Sequence, residues 1–343
     1  MNLIRTCSPK VTARLITLVI TLSLVGFSPD ASAKPPTQLC YAFLKGDVNT
    51  HSDLYVTCGG KRERITKNQD IWDFAVAGDG SALALLRHRG TEKGFGSNGM
   101  AIAIPHREIE VVSLKPDFQR RLSPRDPGNP ELESSCGTVL AVSHAVSVAP
   151  SGGISEVTRD ALSGERLSYE PYYDFRCSSD RKSIVGYLDL HRRVLKVGLP
   201  PVRLIVEARE HSIVGPYDMS PNGRYIAYVT DALCVDDDGK NLGCVRGWGT
   251  YPQKISVSNS GDVLFDGGSG EPCYFDGVGR VSLKTLPGYD DIEECTAVSY
   301  WRPGEKERQV LEIIGWSPQW ITPEAAAALR AERSHENPFG YNR

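Results

Sequence analysis

The sequence predicts an all-β fold, a β-propeller of four-stranded blades. Three observations carry that reading: a turn-rich composition, a short phrase recurring about every 45 residues, and a second phrase between its copies. The chain has 343 residues, 40% hydrophobic and 24% charged, which is enough apolar content for a packed core and too little charge for disorder. Glycine (33) and proline (22) exceed ordinary usage, favouring tight turns and hence short strands. The formal charge of −3 leaves no basic footprint for nucleic acid.

Residues 1–33 read as a signal peptide. Arg5, Lys10 and Arg14 precede the apolar run Leu15–Phe27, and Ala31-Ser32-Ala33 supplies the small residues a signal peptidase accepts. The run covers only about 20 Å as a helix, short of a ~30 Å hydrocarbon core. No later stretch is apolar enough to span, so the mature chain is expected without an integral membrane segment and in the periplasm or outside the cell. Cleavage removes three basic residues and Asp30, moving the charge to −5. It also removes Cys7, leaving Cys40, Cys58, Cys136, Cys177, Cys234, Cys244, Cys273 and Cys295. An even number in an exported chain reads as disulfides, and no two are close enough in sequence for a C-x-x-C metal site. Local pairing is the cheapest assignment: Cys40–Cys58, Cys136–Cys177, Cys234–Cys244 and Cys273–Cys295.

The first phrase is a small polar turn followed by a short apolar strand. Its copies include Ala77-Gly78-Asp79-Gly80-Ser81-Ala82-Leu83-Ala84-Leu85 and Ser220-Pro221-Asn222-Gly223-Arg224-Tyr225-Ile226-Ala227-Tyr228. The turns fall at 80, 137, 181, 223, 261 and 304. The second phrase is strand, Gly/Pro/Asp turn, basic residue, strand, as in Leu54-Tyr55-Val56 followed by Gly59-Gly60 and Arg64-Ile65-Thr66. Two hairpins per repeat make a four-stranded blade, which cannot bury both faces alone but can do so between neighbours.

These phrases resemble the TolB-like propeller repeats, a WD40-like architecture whose blades open on a Ser-Pro-Asp-Gly turn. Residues 220–228 carry the likeness best, with Asn222 in place of the aspartate; the copies at Cys136, Arg181 and Gly304 are degenerate. The likeness spans residues 54–305. It implies a propeller and an envelope or secreted setting far more strongly than any activity.

Spacing gives six blades, with seven as the alternative. Tyr41–Thr66 is expected to complete the last blade together with Val310–Trp316, removing a free sheet edge. The domain plan is therefore 1–33 signal peptide, 34–321 propeller, and 322–343 a C-terminal helix and disordered tail. Thr322 as N-cap, Pro323 at the first helical position and Glu324 in the first turn start that helix. With Leu329 almost its only large apolar residue, it is expected to pack weakly.

The candidate chemistry is thin. Gly94-Phe95-Gly96-Ser97-Asn98-Gly99 matches a dinucleotide string but precedes a strand, not a helix, and reads as a hairpin loop. Asp236-Asp237-Asp238-Gly239 lacks the closing glutamate of a calcium loop and reads as a turn stapled by Cys234 and Cys244. No cofactor, metal or catalytic residue is assigned. Tyr172, Trp248 and Arg302 are the candidate binding residues, in aromatic clusters beside blade-opening turns. The expected function is a monomeric, non-catalytic scaffold binding a protein or small ligand at a propeller face. The alternative is an axial lyase or hydrolase acting on polysaccharide or peptide.

Overall fold

The computed structural model describes residues 39–334, apart from 48–50, 68–70, 96–100, 115–119, 123–129, 147–153, 170–171, 188–193, 199–202, 208–214, 247–250, 276–280 and 283–292. The proposed signal peptide, Trp248 and the tail beyond Ser334 lie outside the described residues.

The first sheet along the chain holds β1 (Cys40–Asp47), β2 (His51–Cys58) and β3 (Lys61–Arg64). Next come β4 (Ile71–Val76), β5 (Ala82–Phe95), β6 (Ala101–Ser113) and β7 (Arg120–Leu122). The third sheet is β8 (Glu131–Ser135), β9 (Thr138–Val146), β10 (Ile154–Asp160) and β11 (Arg166–Leu167). The fourth is β12 (Tyr173–Cys177), β13 (Ile184–Tyr187), β14 (Val194–Gly198) and β15 (Arg203–Glu207). The fifth is β16 (Tyr217–Met219), β17 (Tyr225–Val229), β18 (Leu233–Asp237) and β19 (Lys240–Val245). The last is β20 (Ile255–Val257), β21 (Val263–Phe275), β22 (Val281–Ser282), β23 (Glu293–Trp301) and β24 (Gln309–Ile313). Strand β25 (Gly315–Trp320) then returns to pair antiparallel with β1, and helix α1 (Pro323–Ser334) ends the described chain.

Among the described residues, five sheets therefore have four strands and one has five. This corrects the expectation of six, or seven, uniform four-stranded blades. The cause is the length of β21, whose distal residues Tyr274 and Phe275 run on to pair with β22. The closing strand is also shifted. Val310–Trp316 straddles a turn at Ile314, and Gly315–Trp320 is the segment that completes the first sheet. Strands β4, β8, β12, β16, β20 and β25 form the inner wall around the axis, each meeting the inner strands beside it.

Blade strands pack on both faces and so read as near-continuous apolar runs; Leu83, Ala84, Leu85 and Leu86 are all fully buried. Each seam between neighbouring sheets has its own apolar cluster. Phe74, Leu83 and Leu85 meet Leu44 and Leu54; Ala75 and Leu86 meet Leu132 and Val139; Phe43 meets Leu264 and Val298. Buried polar groups tie the same seams. Gln319 accepts the Val76 N–H and donates to the Val76 carbonyl, both at 2.8 Å, bridging β25 to β4. Disulfides Cys40–Cys58 and Cys234–Cys244 staple hairpins, whereas Cys136–Cys177 joins one sheet to the next. Cys295 is also disulfide-bonded.

Helix α1 begins as read, with the Ala325 N–H donating to Thr322 Oγ1 at 3.1 Å. Its packing is firmer than expected. Ala325, Ala326 and Leu329 are fully buried against Leu54, Ile65 and Val112, and Arg330 pairs with Glu63 at 3.0 Å. Alanines let the helix approach the turn closely: a Cβ on Gly80 would lie 2.9 Å from that of Ala325. Small side chains are what permit the contact.

Candidate functional site

Antiparallel pairing gives the ring two unlike ends. The blade-opening turns between first and second strands lie at one end, and the starts of the inner strands lie at the other. At the strand-start end a funnel of about 370 Å³ opens on the axis. Its walls combine Trp72, Pro130 and Trp316 with Asp73, Glu131 and Lys254.

Each charged group arrives on an inner strand or beside one. Lys254, just before β20, reaches across the axis to Asp73 on β4, its Nζ lying 2.8 and 3.0 Å from the two carboxylate oxygens. It also donates to the Leu132 carbonyl at 2.5 Å. Asp73 in turn accepts the Leu132 N–H at 2.9 Å, so the pair clamps three sheets, those of β4, β8 and β20. Burial pulls the Lys254 ammonium down, but Asp73 and Glu133 outweigh it and hold it above the ordinary lysine range. Arg176 on β12 is buried and pairs with Asp174 at 2.8 Å and Glu133 at 3.0 Å. Asp266 accepts the N–H groups of Gln253 and Lys254, both at 2.7 Å, and of Ser317 at 3.1 Å. Burial still raises its carboxyl above the usual range.

Two groups on the wall stand apart from these clamps. Glu131 faces the funnel, and no ion pair or side-chain hydrogen bond reaches it among the described residues. Its side chain is open to the cavity; partial loss of water within the funnel, then the neighbouring charges of Glu133 and Asp174, raise its carboxyl, with Lys254 opposing. Trp72 is 46% exposed, with the Arg107 guanidinium 3.8 Å over its ring. Burial lowers Arg107 and the charge of Asp73 raises it, with burial the larger effect.

Of the three residues singled out from the sequence, the two that are described, Tyr172 and Arg302, lie at opposite ends of the ring. Arg302 follows β23 at the turn end and holds Asp262 through Nε at 2.9 Å and Nη2 at 3.3 Å. Tyr172 precedes β12 at the strand-start end, packed against a cluster containing Phe175 and Cys177 and bridged to Tyr169. Trp248 is outside the described residues. The Asp236–Gly239 segment forms the β18–β19 turn, with Asp237 held by Arg224 in two 2.7 Å contacts. Among the described residues no three His, Cys, Asp or Glu side chains are grouped to hold a metal. No helix among them is long and apolar enough to cross a membrane.

Two funnel residues, and a clamp residue beside them, carry a signal in the sequence. Asp73, Asp174 and Lys254 each stand seven residues before their turn positions at 80, 181 and 261. A charge at that place in a short apolar strand has to point to the axis, because both sheet faces are covered by neighbours.

No family model and no curated protein sequence matches this chain. Solved structures do resemble it. The complex of KlAtg21 with the coiled-coil of AgAtg16 gives a TM-score of 0.40 at 10% identity, covering 83% of this chain and 96% of that one. The RRP9 WD40 repeats give 0.37 at 9%, covering 81% and 86%. An acylaminoacyl peptidase from Pyrococcus horikoshii gives 0.41 at 13%, covering 79% of this chain and 50% of the peptidase. Likenesses this distant carry nothing about function, and the propeller rests on the chain's own sheets.

Proposed function

We propose that this chain is an exported, TolB-like propeller that acts as a non-catalytic scaffold, binding a ligand in the strand-start funnel. The observation that supports this most is the division of labour on the funnel wall. Asp73, Glu133 and Asp266 are committed to clamping neighbouring strands, while Trp72 and Glu131 face the cavity. A half-exposed indole beside an unpaired carboxylate, on a wall braced by ion pairs, suits recognition: the contact groups are held in place before the ligand arrives. The disulfides fit an oxidising compartment. Cys273 is the partner proposed for Cys295.

The rival lyase or hydrolase would draw on Glu131 as its acid, since a raised carboxyl in a cavity is what general acid catalysis needs. The two readings separate in one set of measurements. The chain purified from cells should begin at Lys34. A ligand library screened by thermal shift should contain compounds that raise Tm for the natural chain and fail to do so for Trp72→Ala. Turnover of a polysaccharide or peptide library that Glu131→Gln abolishes would overturn the scaffold reading in favour of the enzyme.

A further inference from the structure

Resting on the funnel as the ligand site, we propose that its occupant is a cationic group on an apolar stem. The chemistry is an ammonium or guanidinium, carried either by a lysine or arginine side chain of a peptide or by a free amine.

Residues two apart on a strand share a face, so Glu131 and Glu133 both stand on the cavity side of β8. Glu133 is engaged by Arg176, and Glu131 is not engaged. The charges that act on Glu131 are mostly of its own sign: Glu133, Asp174 and Asp73 oppose its ionisation and Lys254 alone favours it. The Lys254 charge is spent on Asp73 and the Leu132 carbonyl. The lining holds Asp73, Glu131, Glu133 and Asp266 against Arg107 and Lys254. A concave wall with that excess focuses a negative potential into the cavity.

The apolar share of the wall supplies the other half of the recognition. Trp72 is 46% exposed, a rare state for indole among the described residues, and Trp316 and Pro130 complete the surface beside it. An aliphatic stem lying on these rings, with its charged head at Glu131, uses both features at once. A carboxylate or phosphate would enter against the field. An uncharged ligand would leave the like-charge repulsion around Glu131 unrelieved.

Isothermal titration of the mature chain with three probes of one length tests this: n-pentylamine, n-pentanol and n-pentanoate. The amine should bind at least ~10-fold tighter than either of the others, the scale of one close charge contact. Glu131→Gln should remove that advantage, Glu131→Asp should keep part of it, and circular dichroism should show both variants folded. Binding of the amine should weaken as pH falls and Glu131 takes up a proton. Equal affinity for pentanol, or an amine affinity unchanged in Glu131→Gln, would overturn the proposal. If pentanol or pentanoate binds instead and Trp72→Ala abolishes it, the charge assignment falls and the binding funnel stands. If no probe binds, both fall. A lysine tripeptide binding more tightly than 1,5-diaminopentane identifies a peptide as the source, and the reverse order identifies a free amine.

Discussion

The two mouths of the ring are built from the same repeat, yet they use their polar groups differently. The turn-end mouth encloses about 220 Å³ and is lined by Gly78, Ser134, Gly137, Ser179, Ser258 and Asn259. There the turns satisfy themselves and one another. Ser220 Oγ accepts the Tyr225 N–H at 2.8 Å and donates to Asn222 at 2.7 Å, and Ser178 and Ser258 play the same part in their own turns. Neighbours are linked as well: the Asn222 N–H donates to Asn259 at 2.8 Å, and the Ser179 N–H to the Pro221 carbonyl at 2.7 Å. The strand-start mouth repeats its clamps less faithfully and leaves Glu131 and Trp72 facing the cavity. Polar residues that recur from blade to blade are fold chemistry, and the ones that break the pattern are where binding can be placed.

The largest effect should come from cutting a clamp on the funnel wall. Lys254→Met takes away the ammonium that bonds the buried Asp73 carboxylate and leaves only the more distant Arg107 charge, which costs about 3–5 kcal/mol. Thermal unfolding should register the loss, and adding Asp73→Asn should recover most of it. A single substitution costing under about 1 kcal/mol would mean that the wall is not braced by this pair.

The turn end should break in a different way, through backbone rather than charge. Gly137 has φ +72°, and a Cβ there would lie 2.8 Å from the Ser179 carbonyl of the neighbouring sheet. Gly137→Ala should cost about 2–3 kcal/mol, from left-handed strain plus the clash. Gly60, with φ +76° and open space around its Cβ site, is the internal control: Gly60→Ala should cost only about 1 kcal/mol. Equal losses would show that the turns are not packed against each other. Neither variant should change what the funnel binds.

Much of the ring was legible in the sequence because it depends on local chemistry. The turn at Ser220–Gly223 needs a positive φ at Gly223, and a strand must follow it, so composition and spacing suffice. Cys234 and Cys244 face each other across a hairpin whose Asp238-Gly239 turn is written in the chain. The fifth strand of the last sheet was not legible, since it depends on how far β21 runs past its neighbours. The docking of α1 was misread because hydrophobic bulk was counted where closeness to Gly80 decides. The site was missed for a related reason. Aromatic clusters drew attention to Tyr172 and Arg302, which lie at opposite ends, while the groups that converge come singly from separate blades. Only ring closure brings Lys254 to Asp73.

The smallest effect tests whether the two mouths are electrically separate. Asp218 on β16 lines the turn-end cavity and accepts the Val257 N–H at 2.9 Å. Burial lifts its carboxyl to about 7; Glu133 adds to the rise, and the Val257 N–H and Arg176 oppose it. Because the folded value lies above the unfolded one of about 3.9, the protonated form is favoured by folding. Its contribution is fully present below pH ~4 and is lost as pH rises through about 7. Tm should therefore decline between pH ~4 and ~7, at about 2 °C per kcal/mol for a chain of this size. Asp218→Asn keeps an acceptor for Val257 and should flatten that decline. An unchanged slope would mean that Asp218 ionises in the ordinary range and that the mouths are independent. Glu133→Gln decides the coupling itself: it removes a negative charge whose repulsion favours protonated Asp218, and should shift the decline to lower pH. Arg176, still held by Asp174, goes on opposing protonation, and a decline at unchanged pH would mean that the two mouths are electrically separate.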